Sequence, residues 1–165
     1  MITREGTSKG VHFRLYQESD RAICLDLLKT NQPDYFNADD FHDFGEWLST
    51  GQMNTYWMIL IDSQPIGCGG IFINEEKKEA GLAWGMINRL HHGQGYGTEL
   101  TLFRLRELTK RVSFPVKLCT SQHTFKFYEG LGFTVDKVTP KGFDENLDRY
   151  DMLWSQNRDN QDAAK

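Results

Sequence analysis

The 165-residue sequence has little cysteine and no long apolar run. Its three cysteines (Cys24, Cys68 and Cys119) form no CxxC pair, which disfavours a disulfide framework or a zinc ribbon. The longest apolar stretch, residues 56–61, is far shorter than the roughly 20 residues that cross a bilayer. The N-terminal sequence MITREGTSKG lacks the apolar core of a secretory signal. These absences predict a cytoplasmic protein with reduced cysteines and no membrane partner.

The sequence also has no excess of basic residues. Nineteen Lys and Arg residues stand against 23 Asp and Glu residues, for a net charge of −4. This balance disfavours nucleic acid as a partner, because non-specific binding needs a basic face. Hydrophobic residues make up 39% of the chain, as in globular proteins. No repeat or Pro/Gly/Ser-rich linker divides the sequence. We therefore expect one domain over residues 1–165, with an ordered core at about 11–155 and polar tails at 1–10 and 156–165.

The spacing of apolar residues changes along the chain and predicts both strands and helices. Strands are predicted at residues 12–16, 55–62, 66–74, 79–87, 114–120, 133–138 and 148–154, with Ser-Gln-Pro joining the second and third as a hairpin. Helices are predicted after Asp20, after Asn37, over 97–111 and over 121–131. The order β-α-α-β-β-β-α-β-α-β-β indicates an α/β (α+β) fold, a mixed sheet of six to seven strands flanked by about four helices.

The segment HHGQGYGTEL, residues 91–100, lies between a predicted strand and a predicted helix. Its glycines, at positions 93, 95 and 97, let amide groups converge at the positive end of the helix, where a phosphate binds well. A P-loop needs a Lys after its last glycine, and a dinucleotide fingerprint needs a glycine where Thr98 stands. Both nucleotide motifs are disfavoured. A purely structural strand-to-helix turn remains the alternative.

The segment SQHTFKFYEGLGF, residues 121–133, reads as a helix that ends at Gly132 before a strand that begins at Phe133. Tyr128 lies one helical turn beyond Thr124. Taken alone, Tyr128 is better explained as a packing residue than as a catalyst, since aromatic side chains commonly fill the apolar face of a helix.

Together the two segments resemble the GNAT superfamily of acyl-CoA-dependent N-acetyltransferases. That family's phosphate motif, Gln/Arg-x-x-Gly-x-Gly/Ala, is matched by His92–Gly97, with His in the first position. A second family signature, an Asn followed seven residues later by Tyr and then by Gly-Phe, is matched by Ser121, Tyr128, Gly132 and Phe133, with Ser replacing Asn. The order of elements also agrees, so the resemblance covers nearly the whole chain and implies a single-domain GNAT-like fold.

The resemblance implies that acetyl-CoA is the co-substrate and lies where two neighbouring strands separate. Backbone groups of the preceding strand and Ser121 would hold the pantetheine arm, and the loop amides would bind the pyrophosphate. His92 would donate a hydrogen bond in place of Gln or Arg. The implied cofactor-binding residues are Met86, Ile87, His92, Gly93, Gln94, Gly95, Tyr96, Gly97, Thr98, Ser121 and Tyr128.

The implied reaction is direct attack of a primary amine on the thioester, with Tyr128 as general acid toward the departing thiolate. Glu79 is the first candidate for the general base, because it opens the strand that leads to the cofactor site. Its alternative role is that of a solvated turn residue. His91 and His123 are other candidates, since histidine titrates near neutral pH. No metal is expected, because His91 and His92 are adjacent and would point apart.

Residues 31–48 combine aromatic and acidic side chains, and the resemblance implies that this segment forms a wall of the acceptor pocket. We assign Tyr35 and Phe36 to substrate binding, because aromatic rings with carboxylates suit a cationic amine. An amphipathic helix with a solvated acidic face is the alternative. The acceptor is a small-molecule or peptide amine, and the exposed aromatics also allow a homodimer. The alternative function is a non-catalytic acyl-CoA-binding sensor or interaction module.

Overall fold

The computed structural model describes residues 10–50 and 53–156. The tails expected at residues 1–10 and 156–165 lie outside this range, apart from Gly10 and Gln156. The strands are β1 (Val11–Leu15), β2 (Tyr56–Ile61), β3 (Gln64–Asn74), β4 (Glu79–Ile87), β5 (Val116–Thr120), β6 (Thr134–Asp144) and β7 (Leu147–Trp154). The helices are α1 (Arg21–Thr30), α2 (Asp40–Thr50), α3 (Tyr96–Thr109) and α4 (Phe125–Gly130), with 3-10 turns at Glu18–Asp20, Met53–Thr55 and Arg89–His91.

The seven strands form one mixed sheet in the order β1-β2-β3-β4-β5-β7-β6, in which only the β4–β5 pair is parallel. The side chains of β2 alternate between two cores. Tyr56 and Met58 pack with α1 and α2 on one face of the sheet, whereas Trp57 and Ile59 pack on the face that carries α3 and α4. The predicted fold class and element order are confirmed.

Three local predictions differ from the structure. The β2–β3 hairpin turns at Asp62 and Ser63, both with positive φ, so the predicted Ser-Gln-Pro connection is wrong: Gln64 and Pro65 already pair with β2. Helix α4 is shorter than predicted, because the backbone carbonyl of Ser121 accepts the amides that begin a separate turn. Strand β6 is longer than predicted, because it continues to pair with β7.

Asn37 was predicted to begin the second helix, and it makes a reciprocal cap with Asp40. The Asn37 side-chain oxygen accepts from the Asp40 amide at 2.9 Å, and the Asp40 carboxylate accepts from the Asn37 amide at 2.8 Å. This pair holds the segment before α2 in place. Within residues 10–50 and 53–156, no helix is both long enough and apolar enough to cross a bilayer.

A buried carboxylate ties β1 to the start of α1. Asp20 is 3% exposed and accepts two hydrogen bonds from the Arg14 guanidinium, at 2.7 and 2.9 Å. The backbone amide of Gln17 adds a third, at 2.8 Å. The Arg14 bonds, helped by the Gln17 amide and opposed by burial, hold the pKa of Asp20 below its ordinary value.

This lowered pKa predicts an acid-sensitive contribution to stability. The contribution of Asp20 is fully present above its unfolded pKa of about 3.9 and is lost as the pH falls through the lower folded pKa. We expect Asp20→Asn to cost about 1.5–3 kcal/mol at pH 7, the usual range for hydrogen bonds to charged groups. Urea unfolding between pH 2 and pH 7 measures it. Asp136→Asn, at an exposed position, is the control. A difference between the Asp20→Asn and wild-type curves that stays constant from pH 7 to pH 2 would contradict the assignment.

Candidate active site

The sheet opens between β4 and β5. The two strands pair at two positions near their beginnings, Ala80 with Val116 and Gly81 with Lys117. Both strands continue beyond these pairs and separate. The opening leads into a cavity of about 880 Å³, lined by β4, β5, α3, α4 and the segment before α2. This volume is in the range of small-molecule and cofactor sites.

A β-bulge in β4 lies beside this opening. The register between β3 and β4 shifts after the Cys68–Met86 pair, which gives β4 one extra residue. Trp84 occupies the bulge with a φ of +44°. Its ring stacks on Phe44 and Phe36, with centroids 5.0 and 6.2 Å apart. The bulge therefore frees backbone groups of β4 next to the cavity and links them to α2.

The glycine-rich loop lies at one end of the cavity. Gly93 and Gly95 have φ values of +74° and +90°, a conformation that favours glycine, and the space beside both Cα atoms is open. Gly95 is the N-cap residue of α3, so the first amides of the helix point out of its N-terminus. Gly97 and Thr98 line the same cavity. The residues present fit a phosphate or pyrophosphate group.

Two members of the predicted loop set direct their side chains away from the cavity lining. Tyr96 is buried against Ile59, Ile66 and Leu100, and this packing anchors the start of α3. Gln94 is exposed and is not among the residues that line the cavity. Because the Tyr96 side chain is buried, a contact of Tyr96 with a phosphate would be made by its backbone groups.

The end of β4 shows a set of hydrogen bonds that sequence reasoning missed. The Ile87 carbonyl accepts from Asn31 Nδ2 at 2.9 Å and from His92 Nε2 at 2.9 Å. His92 therefore carries its hydrogen on Nε2, because a carbonyl only accepts. The Asn88 amide donates to the Ile66 carbonyl, which by ladder alternation turns the backbone groups of Ile87 toward the opening and those of Met86 toward β3.

These hydrogen bonds determine which backbone groups at the end of β4 can bind a ligand. The Ile87 carbonyl already accepts two bonds, so the Ile87 amide is the group placed to meet a ligand. The backbone groups of Met86 face the neighbouring strand, and its side chain lines the cavity. His92 holds the loop to β4 and keeps Nδ1 for other contacts.

The second signature positions Tyr128. Gly132 adopts a φ of +98°, which reverses the chain after α4. The Phe133 amide then donates to the Tyr128 carbonyl at 3.1 Å, and the two rings lie 5.7 Å apart. Phe133 is buried, whereas Tyr128 is half-buried and lines the cavity. The turn at Gly132 and the contacts with Phe133 thus hold Tyr128 in position.

Ser121 is buried at the end of β5 and also lines the cavity. Its hydroxyl oxygen accepts from the His123 amide at 3.3 Å and caps the turn before α4. The hydroxyl hydrogen is still available for donation to a ligand.

Glu79 does not reach this cavity. It begins β4, about 16 Å along the strand from the bulge at Trp84. Its carboxylate accepts from Lys117 Nζ at 2.8 Å, and that bond lowers the pKa of Glu79 from its ordinary value. A lowered pKa weakens a base, which is opposite to what proton removal from an amine requires. The structure therefore does not support Glu79 as the general base, and the alternative role as a solvated residue fits its position.

The predicted acceptor residues do line the cavity. Tyr35 makes ring contacts with His92 and His123, at 5.3 and 6.2 Å between centroids. Phe36 stacks on the bulge residue, as described above. Asp40 is half-buried in the same lining, and burial, partly offset by the Asn37 amide, raises the pKa of Asp40. His91 and Asp43 also face this space.

Within the part of the chain that the structure describes, no group of three or more His, Cys, Asp or Glu side chains is arranged to hold a metal ion.

A sequence-model comparison identifies the family. Residues 22–133 match the model of the Acetyltransferase (GNAT) family, which covers the opening, the glycine loop and Tyr128. The chain belongs to the GNAT family. Comparison with curated protein sequences finds no match.

Several solved structures share the fold. A GCN5-related N-acetyltransferase from Kribbella flavida has a TM-score of 0.73 at 13% identity, over 88% of this chain and 98% of that chain. A chimera of the Vibrio cholerae spermidine N-acetyltransferase SpeG and hSSAT has a TM-score of 0.72 at 18% identity, over 90% and 97%. A NatC complex bound to Gag peptide and CoA includes a chain with a TM-score of 0.71 at 12% identity, over 88% and 98%. At these identities the likeness concerns the fold.

Proposed function

We propose that this GNAT protein is an N-acetyltransferase, a single domain that moves the acetyl group of acetyl-CoA to a primary amine. The observation that carries the proposal is the opening between β4 and β5 beside the N-terminus of α3, where two glycines adopt positive φ. An anionic pyrophosphate and a narrow pantetheine chain match these two features. Acetyl-CoA supplies the acyl group as an activated thioester.

The residues around the opening have distinct tasks in this proposal. The amides from Gly93 to Thr98 bind the pyrophosphate, and the Ile87 amide and the Ser121 hydroxyl hold the pantetheine. Tyr128 donates a hydrogen bond or proton to the departing sulfur, since a phenol is protonated at neutral pH. Catalysis rests mainly on positioning, because a neutral amine is already a good nucleophile.

The acceptor side of the cavity suits a cationic amine. Tyr35 and Phe36 offer aromatic faces, and Asp40 and Asp43 add carboxylates on the same side. Asp40 is the cavity acid whose pKa is raised, so it is better suited than Glu79 to take a proton from the amine. His91 and His123 remain alternative bases at the same site.

Thermal unfolding in the presence of candidate ligands tests the proposal. We expect acetyl-CoA and CoA, each at about 100 times its Kd, to add about 2.7 kcal/mol to the free energy of unfolding. For a chain of this size that corresponds to a rise of several degrees in Tm. NADH and ATP at equal concentrations should produce no comparable shift. Equal shifts with all four ligands, or none with CoA and acetyl-CoA, would contradict the proposed cofactor.

Thiol release from acetyl-CoA with a panel of primary amines then tests catalysis. Binding of CoA without amine-dependent thiol release would favour the non-catalytic sensor or interaction module instead.

A further inference from the structure

A buried arginine lines the cavity and takes no part in the roles described above. Arg104, on α3, is 2% exposed. It lies on the same helical stripe as Gly97 and Thr101, all three of which line the cavity. The stripe runs about 10 Å along α3 from the glycine loop.

The guanidinium of Arg104 has no partner of its own within the described residues. Its Nε atom is buried without a hydrogen-bond partner. No ion pair or hydrogen bond among residues 10–50 and 53–156 involves its terminal nitrogens either. A guanidinium is always charged, and a buried charge is costly unless an opposite charge meets it. The cavity therefore holds an unpaired cation.

Two glycines make room for this cation. A Cβ atom on Gly85 would lie 2.5 Å from both terminal nitrogens of Arg104, and one on Gly69 would lie 3.3 Å from its central guanidinium carbon. Gly85 is next to Trp84, so the charge sits under the β4 bulge. The bulge is where the acyl carbon of the donor would meet the amine if the proposed function holds.

We propose that Arg104 binds a carboxylate at the far end of the donor's acyl group, so that the protein also uses malonyl- or succinyl-type acyl-CoA. This inference rests on the proposed function. The amine nitrogen bonds to the thioester carbon, the carbon–sulfur bond breaks, and CoA leaves as the thiol with the proton that the amine loses. The distal carboxylate is unchanged throughout and remains paired with Arg104.

The donor is favoured over the acceptor as the source of the carboxylate. Arg104 projects from α3, which packs on the sheet face opposite α1 and α2. An acceptor that comes in from the α2 side passes Asp40 and Asp43, which repel a carboxylate. A carboxylate on the acyl group reaches Arg104 on the α3 side of the cavity and does not have to enter past these two acids.

Length-matched acyl donors test this inference. Succinyl-CoA is compared with butyryl-CoA, and malonyl-CoA with propionyl-CoA. The quantities measured are kcat/KM, with one primary amine that carries no other charged group, and Kd, by calorimetry. We expect the wild-type protein to prefer the carboxylated member of each pair by about 10- to 100-fold, as hydrogen bonds to charged groups allow. Arg104→Met should bring both ratios close to one. Arg104→Lys, which keeps the charge, should retain part of the preference.

Gly85→Ala covers the case in which Arg104→Met does not fold, because it keeps the charge and displaces the guanidinium. It should reduce the same ratios. Ratios near one in the wild-type protein, or ratios that neither Arg104→Met nor Gly85→Ala lowers, would overturn the inference.

A second arm pairs acetyl-CoA with amines that do or do not carry a carboxylate. If Arg104→Met lowers kcat/KM for carboxylated amines only, Arg104 serves the acceptor and the donor assignment is overturned. If the wild-type protein turns over acetyl-CoA but prefers neither member of the two donor pairs, only this inference is overturned. Absence of both binding and turnover with every acyl-CoA would instead remove the proposed function.

Discussion

We expect Tyr128→Phe to lower kcat by about 100-fold or more and to leave the Kd for CoA within about two-fold. General acid catalysis contributes about 10²- to 10⁴-fold, and Tyr128 lines the cavity. The substitution removes one oxygen and keeps the ring contacts with Phe127 and Phe133. The fold around α4 should therefore persist. Steady-state kinetics and calorimetry with CoA measure the two quantities separately.

Tyr150→Phe is the matched control. Tyr150 is also half-buried, but its ring stacks on Phe125 and it is not among the residues that line the cavity. It should leave both kcat and Kd near wild-type values. An unchanged kcat in Tyr128→Phe would remove Tyr128 as the general acid. A loss of CoA affinity equal to the loss in kcat would indicate a binding role instead.

The fold was predictable where local patterns carry the information. The predicted strand at residues 79–87 coincides with β4, because the Glu-Glu-Lys-Lys turn before it marks where the strand begins. The Gly-Phe pair at the end of α4 was also readable, since Gly132 does adopt the left-handed conformation that stops the helix. Such features depend on neighbouring residues, which the sequence presents directly.

The rest of the site depends on contacts between distant parts of the chain. Asn31 and His92 meet at one carbonyl, although the Asn31–Ile87 bond spans 56 residues. The bulge at Trp84 arises from a register shift against β3, which no local pattern records. Arg104 did leave a signal, a cation four residues after Leu100 on the buried stripe of α3. A search for charges at apolar positions would have found it.

Glu79 shows how a correctly predicted strand can carry a site prediction that the geometry does not support. The strand was placed correctly, but a strand has two ends, and the cavity lies at the carboxyl end of β4. An acid at the start of a nine-residue strand is too distant to serve chemistry at its other end. The glycine loop follows Ile87 in the sequence. The order of the chain alone therefore places the loop at the carboxyl end of β4 and Glu79 at the opposite end.

We expect the double variant Gly93→Ala, Gly95→Ala to weaken CoA binding by about 100-fold. Both positions have open space for a methyl group, so no steric clash contributes. Both have positive φ, which costs a residue with a Cβ atom about 1–2 kcal/mol each. The loop then shifts toward ordinary conformations in which its amides no longer converge on one anion. Each single variant should lose about ten-fold, and calorimetry with CoA measures the affinity.

Gly130→Ala separates backbone conformation from the addition of a methyl group. Its Cβ position is equally open, but Gly130 lies in α4 with no positive φ, so an alanine fits its backbone. CoA affinity should therefore stay near the wild-type value in Gly130→Ala. Dephospho-CoA and pantetheine extend the test, because the variants should lose affinity for ligands with the pyrophosphate and not for pantetheine. Equal losses for pantetheine and CoA would mean that the glycine loop supports the fold of the site rather than binding the anion.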